Sequence, residues 1–248
     1  MLRTAALALA LLAAAPALAY EVVTVADGGT LSGTVKFAGT PPRLEPLAVN
    51  KNRDVCGDQK ASEALVVGPE RGVRGSVILL EGVGRGKKGE ADVVLDNHRC
   101  VFVHHVTVTT PGERARVKNS DPVLHNTHGF LGKTTVFNLA LPNKDQMIEV
   151  TRRLTKPGVV RVVCDAHPHM AAWMIVHDSP YYAVSDERGA FKIDGIPPGS
   201  YKVTMWHEGF RARGLDKDGR PLYDDPHTIT RDVTIPAKGT ATVDFELK

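Results

Sequence analysis

The feature that most constrains the fold of this 248-residue chain is a succession of short segments rich in Val, Thr and Ile, each ended by Gly or Pro. No apolar pattern with a helical period runs for any length, and at most a turn or two of helix is expected near 133–141. Short strands separated by such turns are typical of β-sandwiches. The sequence therefore predicts an all-β protein. The expected strands are 30–37, 74–80, 101–109, 114–119, 147–154, 159–164, 171–176, 181–193, 200–206, 228–235 and 240–247.

The first nineteen residues have the composition of a secretory signal peptide. Arg3 precedes an apolar stretch over 5–15, and Ala17-Leu18-Ala19 offers a cleavage site of small residues. The alternative, a membrane anchor, needs roughly 18 to 20 apolar residues, and Pro16 interrupts the run early. No second long apolar segment follows. A periplasmic or secreted protein without a membrane span in its mature part is predicted.

Charge and composition argue against several functions. The formal net charge is only +3, and no Lys/Arg cluster is interleaved with aromatic residues, so a nucleic-acid partner is not expected. The glycine-rich run at 82–86 is not followed by the helix that nucleotide binding requires. Neither paired carboxylates nor a Ser/His/Asp pattern is recognisable, and an enzymatic activity is not expected.

Three cysteines follow the expected cleavage site, namely Cys56, Cys100 and Cys164. In an oxidising compartment an odd number leaves one thiol unpaired or otherwise used. Cys56 and Cys100 have no metal-ligand spacing around them, so a structural disulfide between them is the preferred interpretation.

The third cysteine belongs to a pattern with recognisable chemistry. The segment VVRVVCDAHPHMAAWM places Cys164, His167 and Met170 as C-x-x-H-x-x-M directly after a predicted strand. A second imidazole must come from elsewhere, and His125 in KNSDPVLHNTH is the natural donor. Two His, one Cys and a weak axial Met suit a copper ion in an electron-transfer site. The alternative axial donor, Met174, lies in the following strand and is expected to pack in the core.

The region 92–177 resembles the cupredoxins, plastocyanin and amicyanin in particular. In the cupredoxins a strand, a Pro/Gly turn and an N-x-D pattern precede a His-Asn pair, and a similar stretch here is FVHHVTVTTPGERARVKNSDPVLHN. Their last ligand strand and the ligand loop after it are similar to LTKPGVVRVVCDAHPHM. The resemblance implies equatorial ligands His125, Cys164 and His167 for one copper ion, cycling between Cu(I) and Cu(II), with Met170 axial. It implies that Asn126 pins the two ligand loops together. It also implies that the edge of His167 is exposed and is the exit for electrons.

His128 and His169 leave a rival donor or a surface copper-loading site open, and His104 and His105 stand where the cupredoxins usually have a Pro near the strand start. All four histidines give some weight to a role in copper handling.

The outer parts of the chain resemble a different family. The stretch VSDERGAFKIDGIPPGSYKV at 184–203 is similar to the carboxypeptidase regulatory-like, transthyretin-like β-sandwich, and GTLSGTVKFAG and RGSVILLEG to its opening strands. The expected organisation is a signal peptide (1–19), a first part of this sandwich (20–90), a copper domain (91–177) and a second part of the sandwich (178–248). A cupredoxin-like Greek-key sandwich would thus lie inserted in, or next to, a transthyretin-like β-sandwich.

The function expected from these features is that of an exported mononuclear copper protein that exchanges one electron with a redox partner protein. Two alternatives remain open. One is a periplasmic copper chaperone or resistance protein, and the other is a non-redox sandwich for adhesion or carbohydrate binding.

Overall fold

The computed structural model describes residues 20–248, so the expected signal peptide lies outside the described residues. The described chain is all-β, with one short α-helix, α1 (Arg53–Cys56), and two 3-10 turns at Pro69–Arg71 and Thr151–Arg153. The strands are β1 (Glu21–Val22), β2 (Gly29–Phe37), β3 (Leu47–Ala48), β4 (Gln59–Lys60), β5 (Val66–Val67), β6 (Val73–Arg74), β7 (Val77–Glu81), β8 (Arg85–Gly86), β9 (Asp92–His98), β10 (Val101–Val103), β11 (Val106–Thr109), β12 (Arg114–Asn119), β13 (His125–Leu131), β14 (Thr134–Leu141), β15 (Met147–Glu149), β16 (Gly158–Val163), β17 (Ala171–Val176), β18 (Tyr182–Val184), β19 (Ala190–Ile196), β20 (Gly199–His207), β21 (Ala212–Leu215), β22 (Pro221–Tyr223), β23 (His227–Ile235), β24 (Thr240–Thr242) and β25 (Phe245–Leu247).

Two sheets built from both ends of the described chain form the outer sandwich. One has the strand order β18-β7-β20-β23, and the other has β19-β2-β24, with β25 also paired to β2. Alternation in β2 turns Leu31, Val35 and Phe37 inward, where they are buried in a core shared with the strands after residue 180. Strands from before residue 90 and after residue 180 therefore share one core. The proposed domain boundaries stay a prediction.

The strands between these two parts form the middle sandwich. Its sheets have the orders β10-β9-β12-β15 and β11-β17-β16-β13-β14, and a second apolar core lies with them. β13 runs antiparallel to both β14 and β16, with a register shift after Gly129. A Cβ at Gly129 would lie 2.5 Å from the ring of Phe137, so only glycine lets that ring close the core beside β13.

The two sandwiches pack against each other through a small apolar cluster. Val77 and Trp206 of the outer sandwich contact Val106, Val108 and Ile175 of the middle sandwich, and all five side chains are buried. Trp206 meets Trp173 edge to face, with ring centroids 5.4 Å apart. This contact fixes the position of β17, which follows the C-x-x-H-x-x-M loop.

The segment 47–60, which contains β3, α1 and β4, packs on the middle sandwich although it precedes it in the chain. Val49 and Cys56 belong to the middle core, and Cys56 forms a disulfide with Cys100, the residue before β10. The predicted disulfide is confirmed. The disulfide joins α1 to the start of β10, and Cys56 lies in the middle core although residues 20–90 are predicted to belong to the outer sandwich.

Several predicted elements differ from the observed ones. The turn or short helix expected near 133–141 is the strand β14, because it pairs along its length with β13. The strand expected at 101–109 is two strands in different sheets, and its break falls at His104 and His105. The strand expected at 181–193 is divided into β18 and β19, which also join different sheets. Within residues 20–248, no helix is long and apolar enough to cross a membrane.

Candidate metal centre

The residues of the C-x-x-H-x-x-M motif form a compact loop between β16 and β17. The N–H of His167 donates to the carbonyl of Cys164 (3.3 Å), and the N–H of Met170 donates to the carbonyl of His167 (2.9 Å). The N–H of Cys164 donates in turn to the carbonyl of Met170 (3.3 Å). Pro168 restricts the turn further because its ring fixes φ. The hydrogen bonds within the loop therefore hold its three candidate donor residues close together.

The second imidazole comes from the neighbouring strand. β13 begins at His125 and pairs antiparallel with β16, with His128 opposite Val163. The start of β13 consequently lies beside the residue that follows β16, which is Cys164. The backbone N–H of Asn126 donates to Cys164 Sγ at 3.3 Å, and the N–H of Asp165 lies 3.5 Å from Asn126 Oδ1. These two contacts join the start of β13 to the motif loop.

Three donor atoms converge at this place. Cys164 Sγ lies 3.9 Å from His125 Nδ1 and 3.6 Å from His167 Nδ1, and the three atoms lie within 4.8 Å of one another. All three residues are fully buried. Met170 is also buried and belongs to the same apolar core, while Met174 is paired within β17, opposite Val160.

The outer nitrogens of both imidazoles are held by oxygen acceptors. His125 Nε2 donates to Asp121 Oδ2 at 2.9 Å, and His167 Nε2 donates to Asn52 Oδ1 at 3.1 Å. A neutral imidazole that donates from Nε2 keeps its lone pair on Nδ1. Both lone pairs then face the Cys164 sulfur, which is the arrangement that a metal ion requires.

Asp121 is anchored by the turn that carries Cys100. Arg99 and Cys100 both have a left-handed backbone, with φ of 53° and 56°, and their N–H groups donate to Asp121 at 2.7 and 2.8 Å. Burial raises the pKa of Asp121, but the hydrogen bonds from His125 and from these two amides outweigh it and lower the pKa. The carboxylate therefore stays ionised and orients His125.

Without a metal, the contact between Cys164 and His125 shifts the pKa values of the two groups in opposite directions. Burial alone raises the pKa of Cys164, but hydrogen bonds from His125 and His167 lower it to about 6. Burial likewise lowers the pKa of His125, and its hydrogen bonds to Asp121 and Cys164 outweigh this effect and raise it to about 9. The sulfur is thus already in the form that ligates a metal.

The segment 47–60 covers the outer edge of His167. Asn52 accepts the hydrogen bond from Nε2, and Cys56 Sγ lies 4.0 Å from the same nitrogen. The exposed His167 edge implied by the cupredoxin resemblance is therefore wrong: the exposed fraction of His167 is 0%. Sequence reasoning missed Asn52, because no spacing links it to a residue 115 positions away. Asp121 belongs to the N-x-D pattern, but the sequence does not indicate its contact with His125.

The histidines left open by the sequence lie outside the centre. His128 contacts Asp165 and Thr135, and His169 Nε2 donates to the carbonyl of Cys100. His105 forms a buried ion pair with Glu208 of the outer sandwich. These contacts hold the side chains of His128, His169 and His105 outside the metal centre. The ring centroid of His169 lies 5.8 Å from that of His167.

The distances are close to those of a first-row transition metal site. Bonds of about 2.0 Å to an imidazole nitrogen and about 2.3 Å to a thiolate, at angles between tetrahedral and trigonal, separate the two donors by roughly 3.5 to 3.7 Å. The distance from Cys164 Sγ to His167 Nδ1, 3.6 Å, falls in this range, and the distance to His125 Nδ1, 3.9 Å, is slightly longer. A second group, formed by Cys100, Asp121 and His125, has no free thiol because Cys100 is in the disulfide.

Comparisons with known proteins identify no family. No family profile matches the chain, and no curated protein matches it. Among solved structures, a Cu-containing nitrite reductase from Thermus scotoductus SA-01 matches with 20% identity and a TM-score of 0.31. Two Cu(I) structures of amicyanin mutants match with 18% and 19% identity and TM-scores of 0.30 and 0.31. Each match covers 40% of this chain. The matched part is 25% of the nitrite reductase chain and 98% of each amicyanin chain. Likenesses of this size leave family and function to be argued from the site.

Proposed function

We propose that this protein holds one copper ion between His125, Cys164 and His167, with Met170 as a weak axial ligand. The observation that carries the proposal is the meeting of two Nδ1 atoms and one thiolate sulfur in a fully buried pocket of a β-sandwich. Two His and one Cys with a long axial Met form the donor set of copper electron-transfer sites. Copper supplies one-electron oxidation and reduction when bound.

The protein's contribution to that chemistry is to keep the donors from moving. Asp121 and Asn52 hold the two rings by their outer nitrogens, and the Asn126 amide holds the sulfur. A site whose ligands are fixed in both oxidation states needs little rearrangement when an electron arrives or leaves. We therefore favour a one-electron carrier that works with a redox partner protein.

A second candidate function is copper handling, by a chaperone or resistance protein. It is favoured by the segment 47–60, because this segment places Asn52 and the disulfide over His167 and leaves that edge without solvent contact. A covered ligand suits retention of an ion better than rapid exchange of electrons through that ligand.

The location and the scaffold are part of the same proposal. A disulfide persists in oxidising compartments, and the Cys56–Cys100 bond therefore supports export by the expected signal peptide. The outer sandwich would be a carboxypeptidase regulatory-like scaffold that carries no chemistry of its own.

One copper titration followed by visible absorption tests the proposal. We expect the mature protein to take up one Cu(II) per chain and to develop an intense colour from thiolate-to-copper charge transfer. A colourless protein at full copper occupancy would favour copper handling. Absence of stoichiometric copper binding, or preference for Zn²⁺ in competition, would contradict both functions.

The axial position is tested by a pair of matched methionine variants. We expect Met170→Leu to keep copper and colour but to raise the reduction potential, because a soft donor is withdrawn. Met174→Leu should leave the potential unchanged and reduce the stability by less than about 1.5 kcal/mol, as an isosteric core substitution does. Cyclic voltammetry of both variants provides the measurement. A shift confined to the Met174 variant would transfer the axial role to Met174.

A further inference from the structure

A small cavity lies between the two sandwiches behind the motif loop. The cavity has a volume of about 70 Å³ and is lined by both sandwiches. Its walls include Arg161 and Trp173 of the middle sandwich and Arg220, which precedes β22. Arg161 and Trp173 lie opposite each other in the pairing of β16 with β17, so the two side chains share one face of the sheet.

Polar donors without partners line this cavity. Arg220 is only 7% exposed. Its Nη2 donates to the carbonyl of Cys164 (2.9 Å) and to Asp165 Oδ1 (3.3 Å). Its buried Nη1 has no hydrogen-bond partner among the described residues. The buried Nε1 of Trp173 is also without a partner there. Buried N–H groups are nearly always hydrogen-bonded. Two unpaired donors on the wall of one cavity therefore indicate a missing acceptor.

Two guanidinium groups meet in the same place. Burial, and then the proximity of Arg220, lower the pKa of Arg161, and the charges of Asp216 and Glu208 offset this effect only in part. The two guanidinium groups are therefore close enough to repel each other. No carboxylate among residues 20–248 lies within 4.0 Å of the Arg161 guanidinium, and this group makes no hydrogen bond there. Lys60 adds a third cationic side chain to the lining.

The two carboxylates of the lining, Glu208 and Glu63, are already engaged. Glu208 pairs with His105, and Glu63 pairs with Arg74. Asp216, outside the lining, accepts hydrogen bonds from the backbone of the turn at 216–220. These contacts leave the charge of Arg161 without a dedicated counterion.

We propose that this cavity binds one small anion, of the size of chloride, formate or nitrate, between the guanidinium groups of Arg161 and Arg220 and the indole N–H of Trp173. A planar carboxylate or oxyanion matches the fork geometry of a guanidinium. The volume of about 70 Å³ suits an anion of a few atoms. His169 Nδ1, another buried atom of the lining without a partner, accepts from a water beside the anion.

Thermal unfolding of the metal-free mature protein tests the proposal without reference to copper, so this proposal and the copper proposal can fail separately. Sodium formate, chloride and nitrate are titrated at constant ionic strength, balanced with sodium gluconate, whose anion is too large for the cavity. We expect a saturable rise in the unfolding midpoint with at least one small anion, because a ligand that binds only the folded state stabilises it.

Substitutions then locate the effect. Arg161→Met should weaken the anion affinity tenfold or more, whereas Arg152→Met, a change at an exposed arginine outside the cavity, should leave it unaltered. In gluconate alone Arg161→Met should be at least as stable as the wild type, because it relieves the repulsion with Arg220. Trp173→Phe, which keeps the charges and removes one donor, should weaken the affinity by a smaller factor. No saturable response in the wild type, or an equal response in Arg161→Met, would overturn the proposal and leave a cavity filled by water.

Discussion

We expect Cys164→Ser to abolish the visible absorption of the copper-loaded protein while the metal-free variant keeps its fold. The absorption of the proposed centre depends on charge transfer from the Cys164 thiolate, and a serine hydroxyl is neither ionised at neutral pH nor a soft donor. The Asn126 N–H that now donates to Cys164 Sγ can donate to the serine oxygen instead. Visible absorption during copper titration, with far-UV circular dichroism of the metal-free protein, provides the measurement.

Two histidines on the same strand provide the matched control. His125 and His128 lie three residues apart on β13, but only His125 directs a nitrogen to Cys164, whereas His128 contacts Asp165. His125→Gln should lose the colour and most of the copper affinity, and His128→Gln should retain both. An intense band that survives in Cys164→Ser, or that disappears in His128→Gln alone, would contradict the assignment of the ligands.

The second large effect concerns the disulfide. The double substitution Cys56→Ser with Cys100→Ser should lower the free energy of unfolding by about 4 kcal/mol, because the bond closes a loop between residues 44 apart in the chain. It should also loosen α1, and with it the hold of Asn52 on His167. Chemical denaturation of the metal-free proteins, followed by circular dichroism, gives the difference.

A thiol titration provides the control for this prediction. The denatured, metal-free and unreduced wild type should contain one reactive thiol, that of Cys164. Three reactive thiols would show that the disulfide does not form, and unchanged stability in the double variant would show that it does not stabilise the fold.

The sequence predicts the strands whose apolar residues alternate. It does not predict a strand that forms because it pairs with a neighbouring strand. β2, β12, β16 and β17 each lie close to the predicted position, because their side chains alternate or because they are rich in valine. β14 exposes both threonines at its start and buries Phe137 and Leu141, four residues apart, so its pattern also fits a helix. The segment forms a strand because it pairs along its length with β13.

The break between β10 and β11 also depends on contacts with residues distant in the sequence. The run of valines and threonines over 101–109 predicts one strand, yet its two halves join opposite sheets of the middle sandwich. His105, at the break, is held by its ion pair with Glu208, a residue 103 positions away that belongs to the outer sandwich. A contact over such a distance leaves no trace in local periodicity.

The sequence by itself determined the motif loop, because Cys164, His167 and Met170 lie within seven residues and a single turn brings them together. It also determined the all-β class and the pairing of the two remaining cysteines. Only the tertiary structure decided what surrounds the motif. It placed Asp121 and Asn52 on the outer nitrogens of the histidines and buried the edge of His167. The meeting of Arg220 with Arg161 was also a tertiary effect, because side chains far apart in the chain are brought into contact by the packing of two cores, which no short spacing encodes.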